Sequence, residues 1–218
     1  MRNTMVLAAA FVLTASMSAC ASTPSTTLAS AEANYPPLIM GANVTPATGA
    51  GPFPPACPKA GSRVEQKGGP TIEYLGVAPG GNDALCRIRM AGDTENWWYG
   101  LWVNTWAGGD AAYVAMRKTI HGKTGDMAGF DTDAGPSLRW HDVIRNEGIE
   151  RIILLGKTYT ALKLSHYREG YDGNIYRSVG TVWIDMDSGL IIYGTYDHIS
   201  GRPEIDTPLI PTAIVPAP

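Results

Sequence analysis

Four of the six tryptophans fall in one short segment, Trp97-Trp98-Tyr99-Gly100-Leu101-Trp102-Val103-Asn104-Thr105-Trp106. Read as a strand, it places Trp98, Trp102 and Trp106 on one face, because successive strand residues point to opposite sides. Gly100 and Asn104 separate these indoles, and Tyr99, Leu101 and Val103 take the other face. Such a row can stack on sugar rings or line a lipid cleft, since tryptophan offers a broad apolar surface and one N–H donor. A central strand buried on both faces calls for the same large residues. Trp98, Trp102 and Trp106 are therefore candidate ligand-binding residues, with a lipid or glycan as ligand, while burial in the core is the preferred reading.

Other chemistry is sparse. The histidines are His121, His141, His166 and His198, and none sits in a His-Glu-x-x-His pair. His166 and His198 lie near expected strand ends, with Asp172 and Asp197 as third ligands if they meet. Hydrogen-bonded or exposed imidazoles are the expectation, so no metal and no cofactor is assigned. Asp131-Thr132-Asp133-Ala134-Gly135 and Asp185-Met186-Asp187-Ser188-Gly189 share an Asp-x-Asp-x-Gly pattern. Carboxylates so spaced can hold Ca²⁺ in a loop. The length and distal glutamate of an EF-hand are missing, and Asp and Gly are ordinary turn residues. There is no G-x-S-x-G elbow, S-x-x-K or G-x-x-x-x-G-K loop. No catalytic residue is assigned.

The cysteines carry the address and the covalent frame. Met1-Arg2-Asn3 brings one positive charge, and an apolar stretch runs from Met5 to Leu13. That stretch is shorter than the roughly 20 residues of a membrane-spanning helix. With the small residues that follow, it has the form of a secretory signal peptide. Met17-Ser18-Ala19-Cys20 resembles the lipobox of bacterial lipoproteins, with Met17 where leucine is usual. The resemblance implies diacylglycerol on Cys20, cleavage before it and acylation (palmitate, for example) of the new amine. Several acyl chains hold firmly, because each buried CH₂ adds about 0.8 kcal/mol. Ala19-Cys20-Ala21 also fits the A-x-A rule of an ordinary signal peptide cut after Ala21. Ala21, rather than aspartate, follows the cysteine, which by the same resemblance implies the outer membrane, facing the periplasm.

Three cysteines is an odd number for an exported chain. Lipid on Cys20 leaves Cys57 and Cys86, and an oxidising compartment predicts a disulfide between them.

These residues need elements to position them. Residues 1–19 read as the signal peptide. Residues 20–56 form a Pro/Ala/Thr-rich tether, with seven prolines and Glu32 as the sole charge after Cys20. Residues 57–200 form one β-rich globular domain, and 201–218 an extended Pro-rich tail. Candidate strands run over 71–75, 84–90 and 97–106, and Asp110 is placed to cap a helix over 111–118. Residues 122–135 read as loop. Then five runs, 138–145, 149–155, 158–167, 175–184 and 190–196, alternate with short Gly/Asn/Asp turns such as Asn146-Glu147-Gly148. Such runs are the signature of antiparallel hairpins. Leu162 and Leu164 oppose Lys163 and Ser165, while Val182 and Ile184 oppose Thr181, Trp183 and Asp185. One covered and one wetter face follow.

The fold class expected is mainly β: an antiparallel meander forming a curved sheet or partly closed barrel, with one short helix. Lys+Arg number 17 against Asp+Glu 20, a net charge of −3 with no basic run, so nucleic acid is not expected as a partner. The functional expectation is a membrane-anchored envelope lipoprotein with a non-catalytic domain that binds a ligand or an envelope protein partner. A structural or assembly factor of the outer envelope is one alternative. An enzyme acting on an envelope polymer, using carboxylates such as Glu147 or Asp185, is the other.

Overall fold

Runs of Ile, Val, Thr and Tyr separated by tight turns build two six-stranded antiparallel sheets in the computed structural model. The structure describes residues 39–40, 53–104, 108–133, 139–171, 175–201 and 208–218. The expected signal peptide, Cys20, most of the tether, Trp106 and Asp172 lie outside them.

The first sheet contains β2 (Arg63–Gln66), β3 (Ile72–Val77), β4 (Leu85–Met90), β5 (Asp93–Trp98) and β6 (Trp102–Val103) as a meander. The second contains β7 (Met127–Asp133), β8 (Arg139–Leu154), β9 (Lys157–Gly170), β10 (Arg177–Asp185) and β11 (Ile191–Ser200). One helix, α1 (Gly109–Ile120), connects them. The chain is thus mainly β, a meander with one short helix, and the described strands form two open sheets. Two stretches expected to be merely extended also pair. β1 (Ile39–Met40) adds to β8, and β12 (Pro211–Val215) is an edge strand on β2. The edge is where proline is tolerated in a sheet.

Cys57 and Cys86 are joined, Cα to Cα 5.3 Å, tying the segment before β2 to β4. In the chain-entropy model, closing a loop of this length stabilises by about 3–4 kcal/mol.

Four local readings are corrected. The 97–106 segment is not one strand: its described part, 97–104, turns back as a hairpin between β5 and β6. Tyr99 (φ 51°) and Gly100 (φ 69°) are both left-handed. Leu101 N–H donates to Trp98 O at 2.8 Å, which is the geometry of a type I′ turn. Asp110 does not cap α1: it lies in the first turn, and the cap is Gly108 at φ 87°. A Cβ on Gly108 would stand 2.3 Å from Asp131 O, so only glycine lets the helix start press against β7. Residues 127–133 are not loop but β7, paired with β8 throughout.

Asn146-Glu147-Gly148 is not a turn but a bulge inside the sixteen-residue β8. Asn146 Nδ2 donates to Thr119 O at 3.0 Å, at the end of α1. Its Oδ1 accepts from Gly148 N–H at 2.8 Å. The amide gives this helix-terminal carbonyl a second donor beside Gly122 N–H, which reaches it at 3.2 Å.

Two clusters form the core. The first joins Ala112, Ala115, Met116 and Ile120 of α1 to Trp102, Phe130, Ile144, Leu162, Leu164 and Ile184. The helical residues follow the i, i+3, i+4, i+8 spacing of one buried stripe. The second joins Val64, Tyr74, Cys86 and Ile88 of the first sheet to Ile152, Tyr159, Trp183 and Ile192 of the second. Trp183 and Ile184 are neighbours in β10 and fall in different clusters. Both faces of that strand end are therefore covered, and the wetter face expected around Trp183 and Asp185 is buried.

Candidate functional site

The β5–β6 hairpin, α1 and the β8–β10 sheet line an open cleft of about 250 Å³. Its walls include Leu101, Trp102, Met116, Ile144, Leu164 and Val182, all apolar. Trp97 and Val103 contribute at the hairpin, and two basic side chains, His166 and Arg168, also line it.

Strand register assembles this basic end. Asp142 stands opposite Arg168, and Ile144 opposite His166, across β8 and β9. Residues two apart share a face, so Asp142 and Ile144 pair with Arg168 and His166 on one side of the sheet. Asp142 is fully buried. Its Oδ1 accepts from His166 Nε2 at 2.7 Å and from Arg168 Nε at 2.8 Å. Its Oδ2 accepts from the Thr132 hydroxyl at 2.7 Å. Burial pushes the Asp142 carboxyl up, but the His166 hydrogen bond and the charges of His166 and Arg168 outweigh it and hold it below the usual range. Asp142 is thus a carboxylate, able only to accept.

Arg168 is nearly as buried. Its guanidinium carbon lies 4.8 Å from the Trp140 ring centroid and 5.1 Å from that of Trp102. Both are within cation–π range. Trp102 also meets His166 edge-on, ring centroids 5.6 Å apart. The tryptophan therefore packs the charged cluster and walls the cleft at once.

The sequence candidates fare unequally. Trp98 and Trp102 are directly opposite in the hairpin, so they share a face by cross-strand pairing rather than by spacing along one strand. Trp102 lines the cleft, whereas Trp98 packs on Tyr113, centroids 4.6 Å apart. His166 and His198 are not brought together as ligands: His198 bonds Gly201 O at 2.9 Å. Asp185 is engaged as a turn residue, its Oδ2 accepting from Ser188 N–H at 3.1 Å. Glu147 accepts from the Ser165 hydroxyl at 2.6 Å. Among the described residues no group of three His, Cys, Asp or Glu side chains is placed to hold a metal.

Asp142 and Arg168 were not singled out from sequence. The available signal was alternation: the face carrying Leu162 and Leu164 continues to His166 and Arg168, and Trp140 and Ile144 flank Asp142.

A second His–Asp pair lies on the exposed side. Asp131 Oδ1 bonds His141 Nδ1 at 2.8 Å and accepts from the Tyr171 hydroxyl at 2.9 Å. The His141 and Tyr171 hydrogen bonds hold the Asp131 carboxyl below its usual range. The side chains of this pair are 43% (His141) and 61% (Asp131) exposed.

Compared with family models, with curated proteins and with solved structures, the chain matches none.

Proposed function

We propose that this chain is an envelope lipoprotein whose β-rich domain binds a small apolar ligand in the cleft beneath the Trp97–Trp102 hairpin. The anchor is lipid on Cys20, and the location is the outer membrane facing the periplasm. The observation that carries the binding reading is the cleft itself. An open cleft walled by Trp102, Met116, Ile144, Leu164 and Val182, with two basic groups, has the composition of a ligand site. Its volume lies just below the roughly 300–1,000 Å³ of drug-sized pockets, which suits a short chain or a single ring. The lipobox resemblance supports the anchor.

The binding test uses a neutral fluorescent probe, N-phenyl-1-naphthylamine, with residues 21–218 secreted to an oxidising periplasm. Saturable enhancement that disappears in a Val182→Trp variant of unchanged thermal midpoint supports the reading. No enhancement, or an equal one in the variant, contradicts it. The anchor is tested in the full precursor, where Cys20→Ser should move the protein from the membrane to the soluble fraction.

A further inference from the structure

We infer that the ligand of the cleft is a small apolar carboxylic acid, whose carboxylate is received by Nδ1 of His166. The inference rests on the binding role proposed for the cleft and names the ligand's chemistry.

The argument starts from what the cleft presents. Its walls are hydrocarbon and indole, and among the described residues the titratable groups lining it are an imidazole and a guanidinium, with no carboxylate. Asp142, which both of them bond, is fully buried. An apolar body fits the walls. A polar head on the same ligand must match the two nitrogen bases, which favours an anion or an acid over an amine.

Hydrogen-bond accounting selects His166. Asp142 is ionised, so the nitrogen facing it, Nε2, carries a proton. Nδ1 remains, and among the described residues nothing bonds it. The side chain is 32% exposed, enough to be reached. A ligand acid transfers its proton to Nδ1. The products are a ligand carboxylate and an imidazolium, joined by an N–H···O bond. No other reactant is required.

Charge counting agrees. Arg168 already pairs with Asp142 at 2.8 Å. A protonated His166 adds one positive charge in a mostly apolar setting, and a monocarboxylate balances it. Among the described residues, the charged groups facing His166 are Asp142 from β8 and Arg168 from β9. α1 and the hairpin offer Met116 and Trp102, which do not titrate.

The probes are octanoate and octanol, one apolar chain with two heads, titrated calorimetrically into residues 21–218. Octanoate should bind roughly tenfold or more tighter than octanol, the scale of one charge-assisted hydrogen bond. His166→Gln, whose amide can still donate to Asp142, should reduce octanoate to the octanol level. If that variant unfolds, nitrogen NMR of the wild-type histidines decides: octanoate, but not octanol, should shift the Nδ1 resonance of His166. Equal affinities for the two probes, with that resonance unmoved by octanoate, would overturn the carboxylate inference and leave the apolar cleft standing. Binding of neither probe would overturn both.

Discussion

His166 Nε2 lies 2.7 Å from Asp142 Oδ1, a contact between a partly exposed imidazole and a carboxylate with no solvent exposure. Arg168 reaches the same oxygen and Thr132 the other, so every bond around Asp142 points inward to one negative charge.

Asp142→Asn should be strongly destabilising, since it removes the buried carboxylate that Arg168, His166 and Thr132 all bond. Breaking one partner of a buried pair costs about 3–5 kcal/mol. Urea unfolding measures this, and a loss under about 1 kcal/mol would contradict the assigned geometry. The pH dependence has a definite sign. A carboxyl held below its unfolded value of about 3.9 contributes stability that is fully present above that value. That stability is lost as pH falls towards and through the lower folded value. Wild-type stability should therefore drop in this acid range, with a shallower drop in Asp142→Asn.

Asn146 links the bulge in β8 to the end of α1. Asn146→Ala removes the Nδ2 bond to Thr119 O and the Oδ1 bond from Gly148 N–H. Leaving the Gly148 N–H unsatisfied, and Thr119 O with only its 3.2 Å bond from Gly122 N–H, should cost about 1–3 kcal/mol. Hydrogen exchange should accelerate at the last turn of α1 and around Gly148, and unchanged exchange there would show that the link carries no stability.

The Cys57–Cys86 bridge should leave the mass of residues 21–218 unchanged on alkylation without reductant. Cys57→Ser with Cys86→Ser should lower stability by about 3–4 kcal/mol. Two added labels in the unreduced protein would contradict the bridge.

The meander was legible because its strands carry β-branched and aromatic residues between glycine turns. Leu162 and Leu164 are buried, as alternation predicts. What misled was turn chemistry used for other purposes. Asn146 and Gly148 shape a bulge rather than a turn, since the chain continues to pair with β9 on either side. Asp131 and Asp133 look like loop residues, yet they occupy the exposed positions of β7, where carboxylates cost little. Tyr99 has no business in a turn by residue type, but its left-handed backbone reverses the tryptophan segment.

The candidate site was half legible. Trp102 and His166 drew notice for their chemistry, but their meeting depends on tertiary packing. Asp142 and Arg168 are 26 residues apart and become neighbours only through the β8–β9 register. No local spacing encodes that.

The most direct test of ligand binding in the cleft is native mass spectrometry of residues 21–218 purified gently from an oxidising periplasm. The expected spectrum shows a fraction of the protein carrying one small apolar molecule, absent from a Val182→Trp variant. A bare monomer that also takes up no added octanoate or octanol would contradict it.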